Sequence, residues 1–427
     1  MKIVLIGAGS YVFAPTVLLD AIVKGPQSVP GELALVDLNL AAAEAMAGVG
    51  RRMAAEVGAD WRLSVTADRR AALPGADFVI LSAAPEGARR WWLDHDILQA
   101  AGLPDQIREC GGLGGLSYAL RTISLALDVC TDMAELCPAA VLLDVTNPMP
   151  RIITAVSRFT PIRAYGFCNV AQGGAHGYEW LGRLVGRRHE ELEVVTAGLN
   201  HFAWLISIHD RATGENLHPV VEAAIRSGDG RDFPRLRKWL AEYGGIGVSG
   251  GGHMAEYLPP DPAARYSTRP PFHGDAAERE ERLRALRAIA AGELDWRTHL
   301  TGGSWEHPAE VALALATNTP LRVPIINLPN AGYLTDLPDG RIVEVPALAA
   351  RGTVRGVEVG RLPGCLGELC RRVSDVHELV AEGAARGDRA ALREAIRVDP
   401  AIADKQAALS VLDELIAAHR DVLPRFH

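Results

Sequence analysis

The sequence predicts an α/β protein built on a parallel β-sheet that carries helices on both faces. Three observations support this prediction: short β-branched runs alternate with longer amphipathic stretches through the first 165 residues, a glycine-rich turn follows the first run, and a carboxylate follows the second. Parallel strands need a long crossover between them, which is usually a helix. The pattern therefore indicates a doubly wound sheet of the Rossmann type.

Each element of this sheet has its own signal. Apolar and β-branched content predicts strands over residues 2–6, 33–36, 63–65, 76–81 and 140–143, and helical spacing predicts helices over 13–23 and 41–57. The glycine-rich segment 108–115 is predicted to be a flexible loop that precedes a helical stretch at 118–123.

After residue 165 the pattern becomes mixed. Strands are predicted over 192–196 and 203–209, helices over 309–316, 378–396 and 402–419, and a rigid proline loop over 259–262. We therefore expect two closely joined domains, a Rossmann domain at 1–165 and a mixed α+β domain at 166–427.

Composition excludes several classes of protein. The 427 residues are 48% hydrophobic and 22% charged, and 44 basic against 52 acidic side chains give a net charge of −8. That sign argues against nucleic acid or an anionic membrane as the main partner, and no apolar run approaches the roughly 18 residues of a membrane span. Six cysteines at irregular spacings form no disulfide framework, so we expect a reducing compartment, the cytoplasm.

The turn after the first strand has the composition of a dinucleotide-binding loop. Gly7 permits a tight turn and Gly9 lets the backbone approach a pyrophosphate, with Ser10 and Tyr11 next in the loop. Asp37 ends the second strand, where a carboxylate accepts hydrogen bonds from ribose hydroxyls, and the lack of an arginine after it favours NAD over NADP. The alternative interpretation is a glycine turn that only packs strand against helix.

Two further loops are expected beyond the carboxyl ends of the strands, where open parallel sheets bind ligands. Residues 82–90 include Arg89, and residues 144–148 include Asn147 and Pro148. An Asn-Pro bond can be cis, and the asparagine amide can face both cofactor and substrate. Arg89 is equally consistent with a solvated surface cation.

Cys168 and His201 each follow a predicted strand and are candidate metal ligands. A thiol with an imidazole suits a transition metal better than Mg²⁺ or Ca²⁺, which prefer oxygen. The spacing of 33 residues matches no zinc-finger signature, so two buried residues without a metal remain an alternative.

In their order, these motifs resemble glycoside hydrolase family four, the NAD- and metal-dependent glycosidases. The resemblance runs nearly end to end. It is carried by the segments Gly-Ala-Gly-Ser at 7–10, Ala-Arg at 88–89, Gly-Gly at 114–115, Leu-Arg-Thr-Ile at 120–123, Thr-Asn-Pro at 146–148, Gly-Phe-Cys-Asn at 166–169, Gly-Leu-Asn-His at 198–201, Ala-Glu-Tyr-Leu-Pro at 255–259, Asn-Leu-Pro-Asn-Ala-Gly at 327–332, Val-Glu-Val-Pro at 343–346, Gly-Asp at 387–388 and Asp-Pro at 399–400. It implies an architecture like that of lactate and malate dehydrogenases.

The resemblance also implies roles for individual residues. Cys168 and His201 bind a divalent metal, typically manganese, on which O2 and O3 of the sugar complete the shell, and Tyr257 is the base. Asn147 and Arg89 fall where the family contacts sugar and, in phosphate-specific members, the 6-phosphate.

The chemistry that the resemblance implies suggests roles for two more residues. Asn169 orients the metal-bound sugar oxygens. Glu109 either assists protonation of the leaving group or serves as a cap or salt-bridge partner. His95, His176 and His253 are predicted to be spare histidines rather than ligands.

The reaction implied by the family begins with transient oxidation of the sugar at C3 by NAD. Deprotonation at C2, elimination of the aglycone and addition of water follow, and the hydride then returns. The segment Cys168-Asn169-Val170-Ala171 is nearest the form found in 6-phospho-β-glucosidases, although Ala171 departs from it. An anionic 6-substituted glycoside is expected: a 6-phosphoglucoside first, with a sulfoquinovoside or a glucuronide as alternatives. The family also suggests a homodimer or homotetramer.

Two other functions remain open. A plain NAD-dependent hydroxy-acid dehydrogenase would release NADH and ignore manganese. A catalytically silent NAD sensor would bind the dinucleotide and hydrolyse nothing. Fold alone does not separate these possibilities, because function depends on the site.

Overall fold

The computed structural model describes residues 1–26, 29–168, 170–172, 178–228, 233–249, 251–261, 276–300 and 306–427. Within these residues, eleven strands form one sheet: β1 Lys2–Ile6, β2 Gly31–Val36, β3 Trp61–Thr66, β4 Phe78–Leu81, β5 Val141–Asp144, β6 Ala164–Gly166, β7 Leu192–Leu199, β8 Phe202–Asp210, β9 Leu321–Pro329, β10 Ile342–Ala350 and β11 Thr353–Gly356. All seven strands predicted from the sequence are present, whereas β6 and β9–β11 were not predicted.

The first six strands form a Rossmann sheet. Their order is β3-β2-β1-β4-β5-β6, and every neighbouring pair among them is parallel. The sheet then continues through β9, β10, β7 and β8, which pair antiparallel, and β11 pairs with β10. The predicted doubly wound sheet followed by a mixed region is confirmed.

Helices cover both faces of the parallel part. Successive residues of β1 explain why, since Ile3 and Leu5 pack in one buried cluster while Val4 and Ile6 pack in the other. The helices are α1 Ala14–Leu18 (continued by a π-helical turn, Leu19–Lys24), α2 Leu40–Val57, α3 Arg69–Ala72, α4 Gly87–Ala100, α5 Gly112–Leu136, α6 Met149–Phe159, α7 Glu179–Val185, α8 His218–Ser227, α9 Phe233–Tyr243, α10 Gly251–Ala255, α11 Ala276–Ala291, α12 Trp296–His299, α13 Pro308–Thr317, α14 Leu366–Arg386, α15 Arg389–Val398 and α16 Lys405–Ala418.

Two local predictions were wrong. The helix expected over 378–396 is two helices, α14 and α15, which separate where Gly387 adopts φ 67° and the Asp388 carboxylate caps the next helix. The segment expected to be a flexible glycine loop enters helix α5 at Gly112. Its first turn is buried, and a Cβ at Gly115 would lie 2.2 Å from the carbonyl of Cys110, so the missing side chain allows close backbone packing.

The sheet runs across the predicted domain boundary at residue 165. Strand β6 pairs with β5 on one side and with β9 on the other. Helices α14 and α16, although late in the chain, pack against helices of the first 165 residues. A division into 1–165 and 166–427 therefore stays a prediction. Among the described helices, none has the length and apolar character that a membrane crossing requires.

Candidate active site

The turn after β1 lies between strand and helix, as the dinucleotide prediction requires. Gly7 has φ 93°, and a Cβ there would lie 2.0 Å from the carbonyl oxygen of Ser82, so only glycine fits. The Gly9 N–H donates to Asp37 Oδ2 at 2.7 Å, while Asn39 N–H donates to Asp37 Oδ1 at 2.7 Å. Asp37 thus holds the loop in shape and still has lone pairs for further donors.

Ser10 and Tyr11 continue this loop toward α1. The hydroxyl of Ser10 accepts a hydrogen bond from Phe13 N–H at 3.2 Å. The guanidinium of Arg282, on α11, lies 4.9 Å from the centre of the Tyr11 ring, a cation–π contact. The predicted dinucleotide residues are therefore neighbours in one surface region.

Beyond β5, the peptide bond between Asn147 and Pro148 is cis. The Asn147 side-chain amide donates to Glu109 Oε1 at 2.9 Å. Glu109 is buried, and burial raises the pKa of its carboxyl; Glu256 adds to this effect, while His253 and Asn147 oppose it. The site thus holds a carboxyl group whose protonated form is favoured.

The structure brings the two predicted metal ligands together. Cys168 Sγ lies 3.3 Å from His201 Nε2, and both side chains are buried. Metal–sulfur and metal–nitrogen bonds of about 2.3 and 2.1 Å would let both atoms bind a single ion at this separation. His201 also has φ 60°, which strains a residue other than glycine by on the order of 1–3 kcal/mol. Strain of this kind is typical of functional positions.

The protonation of this pair fits a metal site. Burial lowers the pKa of His201 well below its ordinary value and so favours the neutral imidazole that metals bind. Burial also raises the pKa of the Cys168 thiol well above its ordinary value, so the thiol would release a proton when an ion binds. The donor set and its protonation thus suit a divalent transition metal.

Tyr257 is buried, and its hydroxyl has no hydrogen-bond partner among the described residues. Burial raises the pKa of Tyr257 well above its ordinary value, whereas the Arg151 guanidinium lowers it. Arg151 is only 1% exposed, and its Nε and Nη1 atoms lack partners within the described part of the chain. The charge of a buried guanidinium with two unpartnered nitrogens in the described structure therefore acts on the Tyr257 phenol.

A buried carboxylate ties the Tyr257 segment to the Glu109 segment. Glu256 Oε2 accepts hydrogen bonds from the N–H groups of Cys110 at 2.6 Å and Gly111 at 3.1 Å. The Glu256 carbonyl accepts from Arg108 Nη1 at 2.7 Å. These bonds hold two distant stretches of chain in a fixed relation beside the site.

Other predicted residues lie elsewhere. Arg89 is exposed on α4, and its guanidinium pairs with Glu86 Oε2 at 3.0 Å. Asn169, predicted to orient the sugar oxygens, and His176, predicted to be spare, lie outside the described residues. The ring centres of His253 and His201 are 4.3 Å apart, so His253, which is also predicted to be spare, adjoins the site.

Sequence reasoning missed four residues in or next to this site: His253, Arg151, Glu256 and Glu344, whose carboxyl accepts a hydrogen bond from Asn200, the residue before His201. Glu256 and Glu344 lie inside motifs that carry the family resemblance, which was the available signal. Arg151 and His253 had no local signal, because only packing shows that a charged or imidazole group is buried there.

Two family models match the chain. One is described as Family 4 glycosyl hydrolase and matches residues 2–181, and the other as Family 4 glycosyl hydrolase C-terminal domain and matches residues 196–402. The chain belongs to family 4 of the glycosyl hydrolases, and the resemblance inferred from its motifs is confirmed.

Relatives of known sequence align over almost the whole chain. The α-glucosidase of Erwinia rhapontici is 28% identical, over 97% of this chain and 97% of its own length. The α-galactosidase of Bacillus subtilis is 28% identical, over 100% and 99% respectively. A probable 6-phospho-β-glucosidase of the same species is also 28% identical, over 100% and 98%.

Solved structures share the fold. A 6-phospho-α-glucosidase from gut microorganisms, in complex with NAD and glucose 6-phosphate, has a TM-score of 0.83 and 20% identity, covering 100% of this chain and 99% of its own. Another such structure, with NAD and Mn²⁺, has a TM-score of 0.79, 22% identity and the same coverage. The lactate dehydrogenase of Eimeria maxima has a TM-score of 0.52 and 12% identity, covering 90% and 95%. The predicted likeness to dehydrogenase architecture is confirmed.

Proposed function

We propose that this family 4 glycosidase uses NAD and a divalent metal, Mn²⁺ first, to hydrolyse an anionic 6-substituted glycoside, with a 6-phosphoglucoside favoured. The observation that carries the proposal is the 3.3 Å approach of Cys168 Sγ and His201 Nε2, which lie 33 residues apart in sequence. Structural neighbours that hold NAD with glucose 6-phosphate or with Mn²⁺ support it.

The cofactors define what the protein must arrange. When bound, NAD supplies a reversible hydride acceptor for C3, and the ion supplies a Lewis acid for the sugar oxygens, which together acidify the C2 proton. Gly7, Gly9 and Asp37 shape the dinucleotide loop, and Cys168 with His201 would hold the ion. Asn147 lies at the carboxyl edge of β5, where it orients the sugar.

Tyr257 is the proposed base that removes the C2 proton. Burial keeps it a phenol in the cofactor-free protein, so a cation is needed to stabilise the phenolate. Arg151 meets that need, because its charge already lowers the Tyr257 pKa and because two of its nitrogens have no partner among the described residues.

Glu109 is the proposed acid for the leaving group. Its buried carboxyl has a raised pKa, and the Asn147 amide fixes one oxygen at 2.9 Å. As the C1–O bond to the aglycone breaks, the proton of Glu109 passes to the departing oxygen. Water addition at C1, with a proton returned to C2 by Tyr257 and the water proton taken by Glu109, would restore both side chains for the next turnover, while bound NAD would serve as the reversible hydride acceptor. Asn169 is proposed to orient the sugar oxygens.

Arg89 is the proposed contact for the anionic group at C6. It stands at the start of α4, just beyond the carboxyl end of β4, and 63% of its side chain is exposed.

A neutral α-glycoside is a second candidate substrate, since the α-glucosidase and α-galactosidase relatives align end to end. Aryl α- and β-glycosides bearing neutral, 6-phospho, 6-sulfo and uronate groups, assayed with NAD⁺ and Mn²⁺, separate these candidates. Turnover of neutral sugars alone would remove Arg89 from the site.

The reaction itself is tested by isotope incorporation. Hydrolysis in D₂O should leave solvent deuterium at C2 of the released sugar, because that carbon is deprotonated and then reprotonated. Product without deuterium would contradict the oxidation–elimination route. Stoichiometric accumulation of NADH would instead favour a dehydrogenase, and NAD binding without turnover of any substrate would favour a sensor.

The state of the cysteines bears on the cellular compartment of the protein. All six cysteines are free, and five of them are buried, which supports a reducing compartment such as the cytoplasm. A homodimer or homotetramer is proposed on the family resemblance, and sedimentation velocity of the holoenzyme would test it.

A further inference from the structure

Behind the Cys168–His201 pair lies a buried side-chain network of Glu344, Asn327 and Asn200, which we call the Glu344 network. In the sheet, β9 and β10 separate β6, which precedes Cys168, from β7, which precedes His201. Glu344 of β10 pairs in register with Asn327 of β9 and with Gly198 of β7. The network thus occupies the strands between the two proposed metal ligands.

The hydrogen bonds of the network converge on one oxygen. Glu344 Oε1 accepts from Asn200 Nδ2 at 2.8 Å and from Asn327 Nδ2 at 3.0 Å. The three side chains are no more than 1% exposed, and no cation neutralises the carboxyl among the hydrogen bonds and ion pairs of the described residues. Burying a carboxyl group with so few partners costs free energy of folding. Its presence here therefore suggests a role in function.

Asn200 links this network to the metal pair. It directly precedes His201, whose φ of 60° must be maintained by its surroundings. The bond from Asn200 Nδ2 to Glu344 Oε1 therefore fixes the residue that begins the His201 turn. Because His201 Nε2 lies 3.3 Å from Cys168 Sγ, the position of this turn sets the distance between the two ligands.

We propose that Glu344 is a positioning residue for the metal ligands, acting through Asn200 to hold the turn that presents His201 toward Cys168. The inference rests on the proposed function, since it requires Cys168 and His201 to bind the metal. It predicts an effect on metal affinity rather than on the chemistry of the sugar.

Unpaired atoms within the network support a role beyond packing. Glu344 Oε2, Asn200 Oδ1 and Asn327 Oδ1 all lack partners among the described residues. Burial raises the Glu344 pKa to about 8, so a protonated carboxyl can donate to one of the amide oxygens at neutral pH. A glutamine at this position would likewise accept both amide N–H groups and donate to an amide oxygen.

The test measures metal binding directly on the full chain with NAD present. Mn²⁺ affinity is determined by electron paramagnetic resonance, and the thiolate-to-cobalt absorption band of the Co²⁺-loaded protein reports the Cys168 bond. Glu344→Met keeps a similar volume without an acceptor and should weaken Mn²⁺ binding about 10- to 100-fold, the usual cost of losing a residue that orients ligands. Glu344→Gln should keep the cobalt band and hold Mn²⁺ affinity within about threefold of the parent protein, below the roughly 10-fold loss at which removal of an orienting residue begins to show.

A second variant keeps the proposal testable if Glu344→Met fails to fold. Asn200→Ala removes the link while leaving the Asn327–Glu344 bond, and it should lose a similar factor in Mn²⁺ affinity. The double variant should lose no more than either single one, because both break the same connection. Asp94→Asn, at a buried carboxylate in α4, serves as a destabilised control whose Mn²⁺ affinity is unchanged.

The outcomes separate this inference from the proposed function. If Cys168→Ser and His201→Ala bind Mn²⁺ as tightly as the parent, the metal site itself is wrong. If those two variants lose the metal while folded Glu344→Met or Asn200→Ala retains full affinity, the metal site stands and the positioning role of Glu344 is overturned.

Discussion

Two buried carboxyl groups in this molecule have opposite surroundings. Asp94 belongs to what we call the C-terminal clamp, in which it accepts from Ser117 Oγ at 2.6 Å and Arg121 Nη1 at 2.8 Å and contacts His419 Nε2 at 2.7 Å. Among the described residues, the Glu344 carboxyl accepts hydrogen bonds from just two neutral groups, the side-chain amides of Asn200 and Asn327. Both carboxyls are almost fully buried.

The different partners give the two groups opposite electrostatics. Burial alone would raise the pKa of Asp94, but Arg121, His419 and Ser117 lower it below its ordinary value. Burial raises the pKa of Glu344 to about 8, with only the amides of Asn200 and Asn327 to oppose it. The Asp94 carboxylate, which fastens helices, is paired with the Arg121 cation, whereas Glu344, beside the proposed metal site, has an oxygen without a partner among the described residues.

Cys168→Ser is expected to have the largest effect on catalysis and only a small effect on stability. Loss of the thiolate ligand should lower kcat/KM by about 10³- to 10⁴-fold, since a bound metal contributes several kcal/mol to catalysis. The free energy of unfolding without metal should change by less than about 1 kcal/mol, because a serine is nearly isosteric. Kinetics with Mn²⁺ and urea denaturation of the metal-free protein check this, and retained activity would remove Cys168 from the metal site.

Tyr257→Phe removes a buried hydroxyl that has no partner among the described residues. It should lower kcat by about 10²- to 10³-fold, within the usual contribution of a general base. Stability should stay the same or rise, because an unsatisfied polar atom is lost. The measurements are steady-state kinetics and the rate of solvent deuterium uptake at C2; unchanged uptake would exclude Tyr257 as the base.

A substitution in the C-terminal clamp should have the opposite effect, lowering stability and leaving catalysis unchanged. Asp94→Asn leaves Arg121 buried without its counter-charge and should cost about 3 kcal/mol of unfolding free energy. Its kcat and Mn²⁺ affinity should match the parent at 25 °C, because the clamp lies outside the proposed site. Denaturation curves and metal titrations check both halves, and a loss of Mn²⁺ affinity would mean that the two regions are coupled.

The two carboxyls should also give opposite pH signatures in the metal-free protein. Because the folded-state pKa of Asp94 is depressed, its stabilisation is present above about pH 4 and is lost as the pH falls through the folded value. Because that of Glu344 is raised to about 8, stability is lost as the pH rises from about 4.3 toward 8, by at most about 1.4 kcal/mol per pH unit.

Variants isolate the pH dependence that each of these two carboxyl groups contributes to the free energy of unfolding. Glu344→Gln should gain stability relative to the parent between pH 5 and 8, whereas the deficit of Asp94→Asn should shrink below pH 4. The difference in unfolding free energy between variant and parent, measured at each pH, removes the contribution of other groups. Parallel curves for Glu344→Gln and the parent would show that Glu344 does not titrate in this range.

The smallest effect is expected for Arg89→Gln. Its exposed pair with Glu86 should contribute less than about 0.5 kcal/mol to stability. If Arg89 contacts an anionic group at C6, KM for a 6-phosphoglucoside should rise about tenfold, at the scale of one charged hydrogen bond, with little change in kcat. An equal change for neutral and phosphorylated substrates would argue against that contact.

Much of the first half of the molecule was predictable because its signals are local. A strand, a turn at Gly7 and Gly9, and a carboxylate at Asp37 follow one another within 37 residues, and each requires only the backbone nearby. The same holds for the cis bond before Pro148, since proline makes that isomer accessible.

The two wrongly predicted segments show where prediction from local sequence fails. The glycines at 112–115 have the composition of a loop, but their absent side chains serve close packing against the backbone of Cys110. The apolar spacing over 378–396 continued past Gly387, although the chain ends one helix there and begins another.

The sequence by itself determined the Rossmann topology and the glycine turn after the first strand, and through its resemblance to a family it predicted roles for Cys168, His201 and Tyr257. Only the tertiary structure decided that Cys168 and His201 meet, that Arg151 is buried where its charge acts on Tyr257, and that Glu344 bonds to the residue before His201 with no cation among its described hydrogen-bond and ion-pair partners. The reason is physical: a turn or a strand depends on neighbours in the chain, whereas burial and charge pairing depend on atoms that the fold brings from distant segments.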